Sequence, residues 1–266
     1  IVFREWRDIV YASQIEMENI GFKANIIENH DEPRGASRYL PEYAQNESGK
    51  KMLATTSVLL RGIPFIYQGQ QIGMTNCVRG DISEYDDIST IDQYKVAIEA
   101  GCTKEEALKC CYENSRDNAR TPMQWSDEKN AGFGDGTPWL ALNPNYKEIN
   151  VKEQENRADS VLSYYKKLVA LRKSDAYKET FTYGDFVPAY REKDDIFAFH
   201  RKSKESGQDV LVLANFGSGE HTLKLDGNVK QVLLSNLGRE QAVCAQAKES
   251  GSVTLTSCEC VVAVME

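Results

Sequence analysis

The chain has 266 residues, of which 41% are hydrophobic and 27% charged, a composition that excludes collagen-like and disordered chains and is ample to bury a real core. Its 32 Lys and Arg against 40 Asp and Glu leave a formal charge of −8, a field that repels nucleic acid and anionic membrane surfaces and makes neutral or cationic ligands the expected partners. No apolar run reaches the roughly 18 to 20 residues of a membrane helix, and the start Ile1-Val2-Phe3-Arg4-Glu5-Trp6-Arg7 has no secretory core, so no membrane partner is expected.

Residues Ile1 to Ile20 carry Val2, Trp6, Ile9, Val10 and Ile20 near a helical stripe, with a turn expected at Gly21. The first residue is not Met and falls inside this helix, so the chain is expected to be a fragment. Phe22 to Ile27 reads as an apolar strand of the kind covered on both faces, running into the polar cluster Glu28-Asn29-His30-Asp31. The grammar then repeats. Ser48 to Leu60 is a predicted helix, Gly62 breaks it, and Ile63 to Tyr67 is a second buried strand ending in Gln68-Gly69-Gln70-Gln71. Strand, helix, strand in this span is a βα unit of a parallel sheet.

A long polar excursion follows from Gly73 to Glu155, with short helices expected over Asp92 to Ala100 and Lys104 to Tyr112. Excursions of this length in compact domains are usually functional. Asp159 to Arg172 gives a periodic helix. From about Asp175 the period changes: Ile196 to Phe199, Val210 to Leu213, Thr222 to Leu225, Val232 to Leu234 and Val261 to Val264 are short apolar runs separated by Gly, Asp, Asn and Ser, which predict an antiparallel all-β module. No Pro- or Ser-rich tether separates the two parts, residues 1–175 and 176–266, so they are expected to pack on each other.

Seven cysteines are an odd number without the even framework of a small secreted fold, and a reducing cytoplasm is the expected compartment. Cys258 and Cys260 stand two apart in a strand-like run and read as buried structural thiols, and three scattered histidines make a metal site unexpected. No cofactor is expected.

Asn29, His30 and Asp31 end the first apolar strand. Asn and Asp favour capped turns, but titratable side chains at the C-terminal end of a buried strand are also where barrel enzymes place chemistry. A carboxylate there can be acid, base, nucleophile or stabiliser of a cation, and spacing alone does not choose.

The run Ile26-Ile27-Glu28-Asn29-His30-Asp31-Glu32-Pro33-Arg34 resembles the strand-end motif of the α-amylase superfamily of glycoside hydrolases, in the branch containing oligo-1,6-glucosidase and related α-glucosidases. Three further collinear segments carry the resemblance: Gly62 to Asn76, Ser115 to Trp125 (Ser-Arg-Asp-Asn-Ala-Arg-Thr-Pro-Met-Gln-Trp), and Asn143-Pro144-Asn145-Tyr146.

The resemblance implies the C-terminal part of a (β/α)8 TIM barrel, with strands 7 and 8, a long following loop and helix 8 in residues 1–175, then an antiparallel β-sandwich in 176–266. It implies a retaining exo-α-glucosidase acting on terminal α-1,6 and also α-1,4 bonds of short oligosaccharides. The nucleophilic Asp and acid/base Glu of such enzymes would precede Ile1, in a missing N-terminal part of the same polypeptide, leaving the chain alone inactive. Asp31 maps onto the third carboxylate, which stabilises the cationic transition state, and His30 onto the neighbour that binds the same sugar. Arg116 matches the arginine that grips the terminal glucose, with pairing to Asp117 or Glu113 as the structural alternative. Asn29 belongs to the same substrate-binding turn, and Glu32 and Arg34 fall where leaving-group contacts are usual. Gln71 stands where relatives commonly have Glu, and Glu32 where Gln is common, departures that bear on the leaving-group side. Trp125, Trp139 and Tyr146 are candidates to stack on sugar. The alternatives are a trehalose-6-phosphate hydrolase or sucrose isomerase of the same family, or a non-catalytic member such as an amino-acid transporter heavy subunit, against which His30, Asp31 and Arg116 argue.

Overall fold

The computed structural model describes residues 1–266. In chain order its elements are α1 (Phe3–Met17), β1 (Ala24–Ile26), α2 (Gly35–Tyr39), α3 (Glu47–Val58), β2 (Ile63–Phe65), α4 (Ile88–Glu99), α5 (Lys104–Asn114), α6 (Asp117–Arg120), α7 (Val151–Glu155), α8 (Val161–Lys173), α9 (Lys178–Tyr183), β3 (Asp185–Ala189), β4 (Ile196–Lys202), β5 (Asp209–Asn215), β6 (His221–Lys224), β7 (Val229–Ser235), α10 (Glu240–Ser250), β8 (Ser252–Leu255) and β9 (Cys260–Met265). No helix is long and apolar enough to cross a membrane. The chain divides into two compact units, one built from Ile1–Ile26, Glu42–Phe65 and Tyr164–Glu266, the other from Ile27–Pro41 and Ile66–Ser163.

In the first unit β1 and β2 pair in parallel, with Asn25 opposite Pro64. Gly62 makes this approach possible: its φ is +121°, and a Cβ there would lie 2.3 Å from the Lys23 carbonyl oxygen that accepts the Ile63 amide. The two strands, expected to be covered on both faces, are open here. Ile26, Ile63 and Phe65 are 45%, 56% and 51% exposed on one face of this two-stranded sheet. Asn25 alone is buried, held by Gln14 and the Arg61 carbonyl.

Helix α3 starts on an Asn46 side-chain cap to the Gly49 amide. Two buried arginines close its other end. Arg172 donates to the carbonyls of Val58, Leu60 and Gly62, and Arg201 to those of Leu59, Phe181 and Gly184, so Arg201 joins the ends of α3 and α9. Burial pushes Arg172 down to about 10 and Arg201 down to about 9, and carbonyls at the negative end of a helix suit a cation.

Strands β3-β4-β5-β9-β7 form one antiparallel sheet in that order, and β6 and β8 a second. Alternation along the strands gives the large sheet two apolar faces. Ile196, Ala198, Leu211, Leu213, Val261 and Ala263 pack on the small sheet and on Val243 and Ala247 of α10. The opposite face, with Phe197 and Phe199, meets α1: Tyr11 lies 5.1 Å from Phe197 and its hydroxyl both donates to and accepts from the Ala198 backbone. Helix α10 lies inside what the sequence predicted as an all-β module; its apolar positions Val243 and Ala247 are one turn apart, a stripe too narrow to stand out. Cys258 precedes β9 in a left-handed turn (φ 59°), so it does not share a strand face with Cys260, although both are buried.

The second unit has little regular structure and is knit by side-chain amides. Asn76 accepts from the Arg34 amide and donates to the Tyr112 carbonyl, Asn118 donates to the same carbonyl and accepts from the Cys77 amide, and Asn143 donates to the Thr75 and Asn76 carbonyls. Ile72, Met74, Met123 and Leu162 form its apolar centre. In the excursion the predicted helices are present as α4 and α5.

Candidate functional site

The site is assembled within the second unit around Asp31. Asn29 accepts the Asp31 amide at 2.7 Å, an Asx turn that fixes the carboxylate's direction just beyond β1. The Asp31 side chain stays 53% exposed, with His30 Nε2 3.2 Å from Oδ2. Its other oxygen faces two guanidinium groups, Arg116 Nη1 at 3.4 Å and Arg120 Nη2 at 3.1 Å. Arg120 also donates from Nε to the His30 carbonyl at 2.9 Å, so it holds the turn by backbone and side chain together.

Arg116 and Arg120 converge because Arg116 caps the start of the single turn α6 and Arg120 ends it, and a spacing of four puts both on one helix face. Asp117 accepts the Asp86 and Asp87 amides at 2.8 and 3.0 Å. Arg34 lies under the same turn. Its guanidinium, fully buried, donates to the carbonyls of Asn118, Gln68 and Ala119, pairs with Glu28 at 3.3 Å and lies over the Tyr67 ring. Burial pushes the Glu28 carboxyl up, opposed by the Arg34 charge and by hydrogen bonds from Arg34 and the Gly35 amide. Gly69 completes this floor: at φ +89° its missing Cβ would sit 2.4 Å from Met74 Sδ and 2.9 Å from Arg34 Nη1.

The structure therefore brings Asn29, His30, Asp31 and Arg116 together and separates two other candidates from them. Arg34, expected beside the leaving group, has no surface to offer a substrate and instead supports the turn from below. Glu32 forms an ion pair with Arg38. The structural alternative for Arg116 is also corrected. Its partner is neither Asp117 nor Glu113 but Asp87, which accepts from both Nε and Nη2 and from Thr90. Burial works to raise the Asp87 pKa, but the Arg116 and Thr90 hydrogen bonds and the Arg116 charge outweigh it and hold the carboxyl below its usual value.

Arg120 and Asp87 are the participants that sequence reasoning missed. The four-residue spacing from Arg116 to Arg120 was a readable signal; nothing local marks Asp87, which comes from a loop 29 residues away. No group of three His, Cys, Asp or Glu side chains is placed to hold a metal ion.

Arg120 also forms one wall of a cavity of about 560 Å³ whose lining is otherwise uncharged and mostly apolar, with Tyr67, Gln68, Gln71, Trp125, Phe133 and Trp139 among its members. Trp125 is set by amide contacts to the Ala131 and Lys152 backbones, and Trp139 by its indole hydrogen bond to Asp86. Tyr146 is not part of this lining. A carboxylate clamped by arginines beside flat aromatic walls suits a polyhydroxylated ligand with polar edges and apolar faces.

The family description "Alpha amylase, catalytic domain" matches residues 1–184. The oligo-1,6-glucosidase of Parageobacillus thermoglucosidasius is 38% identical over 234 residues, which is 86% of this chain and 41% of that protein. Among solved structures, the trehalose-6-phosphate hydrolase of Bacillus licheniformis superposes with a TM-score of 0.88 at 35% identity, covering 99% of this chain and 47% of that one. The isomaltulose synthase of Protaminobacter rubrum gives 0.90 at 31% identity, covering 100% and 47%. The chain thus spans less than half the length of the relatives it matches. Matched by the catalytic-domain description over most of its length and superposed on such relatives over 99–100% of it, the chain belongs to the alpha-amylase family of glycoside hydrolases.

Proposed function

We propose that the protein carrying this chain is a retaining exo-α-glucosidase that hydrolyses terminal α-1,6, and also α-1,4, bonds of short oligosaccharides. The observation that carries this reading is the Asp31 carboxylate, exposed yet fixed by Asn29, Arg116 and Arg120 beside the aromatic cavity. Identity to an oligo-1,6-glucosidase supports the linkage. In this reading residues 1–175 are the last part of a (β/α)8 barrel and 176–266 its β-sandwich. The nucleophile and the acid/base group, about 5–5.5 Å apart in retaining enzymes, come from the preceding part of the polypeptide. The exposed row Ile26, Ile63 and Phe65 is the surface that part covers. Seven free thiols support a cytoplasmic location.

Asp31 does not attack the sugar. It hydrogen-bonds hydroxyls of the terminal glucose and interacts more strongly as positive charge develops at the reacting carbon, which lowers the barrier more than it tightens ground-state binding. His30 binds a hydroxyl of the same sugar, and Arg116 grips its far end. Residues 1–266 alone are expected to hydrolyse neither isomaltose nor p-nitrophenyl α-glucoside.

The test is Asp31→Asn in the full-length protein, assayed on isomaltose. Turnover should fall at least about a hundredfold, or ~2.7 kcal/mol, with a smaller change in KM. Near-normal turnover would make the carboxylate structural. A second reading, cleavage of trehalose-6-phosphate, is favoured by Arg120 as the charged group on the cavity wall. Parallel assays on isomaltose, trehalose-6-phosphate and sucrose separate hydrolysis of α-1,6 ends from this reading and from sucrose isomerisation.

A further inference from the structure

In the first unit the large-sheet face that packs on the small sheet is apolar through Ile196 and Ala198 on β4 and through Leu213 and Leu211 on β5. Side chains two apart share a strand face, so this face continues into His200 and Lys202 on β4 and Asp209 on β5, with Lys202 opposite Asp209 in the register. There the interior turns from apolar to charged. A cavity of about 690 Å³ opens at this point, bounded by β3, β4 and β5 on one side and β6 on the other.

Three of its side chains form a fixed constellation. His200 Nδ1 lies 2.7 Å from one oxygen of Asp209, and Lys202 Nζ lies 3.1 Å from the other. The His200 and Asp209 side chains are only 18% and 22% exposed, so neither is an ordinary surface charge. Burial works to raise the Asp209 pKa, but the hydrogen bonds and charges of His200 and Lys202 outweigh it and hold the carboxyl below its usual value. With the Nδ1 proton donated to Asp209, Nε2 on the far side of the neutral ring is an acceptor, and Lys202 keeps further N–H groups to donate.

Tyr190 borders the same cavity. Its φ of +52° is a left-handed conformation that a bulky residue adopts only where its surroundings impose it. Here the hydroxyl donates to the Lys224 carbonyl at 2.8 Å and ties the end of β3 to the end of β6. Burial, with the charges of Asp226 and Glu192, pushes that hydroxyl up to about 12, so it stays neutral.

The lining selects a ligand class. Four carboxylates stand against three ammonium groups and one imidazole, a balance that does not favour an anion, and so many charged groups do not favour a wholly apolar molecule. Donors and acceptors occur together beside an aromatic ring and the apolar side chains of Leu211, Leu223 and Met265. That combination suits a neutral ligand whose hydroxyls both donate and accept and whose ring has apolar faces, and the volume falls within the ~300–1,000 Å³ of small-molecule sites.

We propose that this cleft is a second, non-catalytic binding site for a neutral saccharide of hexose size, with His200 Nε2 and the remaining Lys202 donors meeting neighbouring sugar hydroxyls beside Tyr190. It lies wholly within the first unit, shares no residue with the Asp31 cluster and does not rest on the glucosidase reading.

The experiment follows the ring Cε1–H signal of His200 by NMR in the full-length protein made with isotope-labelled histidine, the signal being assigned by its loss in His200→Gln. Titration with D-glucose should shift it along a saturating curve with a Kd of about 1–10 mM. Glycine and inorganic phosphate should leave it in place. Lys202→Met, at a side chain that is half-exposed, should weaken glucose binding at least about fivefold. A signal that glucose does not move overturns the proposal, as does an equal or larger response to phosphate or glycine, or an affinity that Lys202→Met leaves intact. The signal reports on its own cleft, so these outcomes are distinguishable from success or failure of the glucosidase assays. Should His200→Gln not fold, crystals of the unsubstituted protein soaked in glucose give an independent readout. A sugar ring within hydrogen-bond distance of His200 and Lys202 is then expected, and an empty cleft overturns the proposal.

Discussion

Replacing Asp87 by asparagine keeps the side chain's size and removes only its charge and one acceptor. In the structure the Asp87 side chain is 3% exposed, with Arg116 Nε at 3.1 Å, Arg116 Nη2 also bonded and Thr90 Oγ1 at 2.8 Å. A hydrogen bond to a charged group is worth about 1.5–3 kcal/mol when its partner is buried. Arg116 is about one-third exposed, keeps its contact to Asp31 and is partly solvated, so only part of that loss reaches the site. Freed from Asp87, Arg116 must be positioned by Asp31 alone. We expect kcat/KM of the full-length Asp87→Asn protein on isomaltose to fall about 10- to 100-fold, or ~1.4–2.7 kcal/mol. The pH dependence adds a second readout. A carboxyl whose folded pKa is depressed contributes stability that is present above its unfolded value, about 3.9, and that is lost as pH falls through the lower folded value. The unsubstituted protein should therefore keep the clamp through the ordinary carboxylate range and lose it only below, whereas Asp87→Asn should show no such acid step. A kcat/KM within twofold of the unsubstituted protein would refute the reasoning.

Arg116→Lys should severely impair cleavage of terminal glucose while leaving the melting temperature nearly unchanged, because a point charge cannot serve Asp87, Asp31 and a sugar at once; equal losses of activity and stability in kinetics and calorimetry would favour a purely structural pair. Glu28→Gln leaves the Arg34 charge buried without its carboxylate and should destabilise the protein by about 3–5 kcal/mol in denaturant titration. The double variant Glu28→Gln, Arg34→Met should recover part of that loss, and no recovery would show that the carbonyl contacts of Arg34 outweigh its charge balance.

Much of the secondary structure was legible because period and punctuation agree. The stripe of α8, the repeated strand and helix, and the shift to short alternating strands near Asp175 are all local signals, and each corresponds to an element. What was not legible depends on chain partners far apart in sequence. The burial of Arg34 follows from carbonyls at Gln68, Asn118 and Ala119 closing around it, whereas in the linear sequence it is one more charge in a polar run. The exposure of Ile26, Ile63 and Phe65 contradicts their apolar character, since composition records what a strand prefers to touch and not whether the neighbour is present. Of the site, the Asn29 to Asp31 turn was readable from residue type alone; Asp87 was not, because its role arises only when a distant loop is held against α6.

The way α1 meets the large sheet bears on how this polypeptide can be cut. The change of sequence period at Asp175 suggests a seam, yet Arg7 reaches the carbonyls of Lys193 and Ile196, Tyr11 is hydrogen-bonded to Ala198, and Phe3 stacks on Phe216 with ring centroids 4.5 Å apart. A nick near residue 175 would leave these contacts intact and the two pieces held together, so a protease should generate two bands on a denaturing gel and one species on a sizing column. Expressed without the first helix, the strand-rich remainder would present Phe186, Phe197 and Phe216 to water, a sticky surface that favours self-association over a free-standing fold. In shuffling or grafting, the piece that travels as a unit is therefore discontinuous in the chain, and its first helix must accompany the sheet.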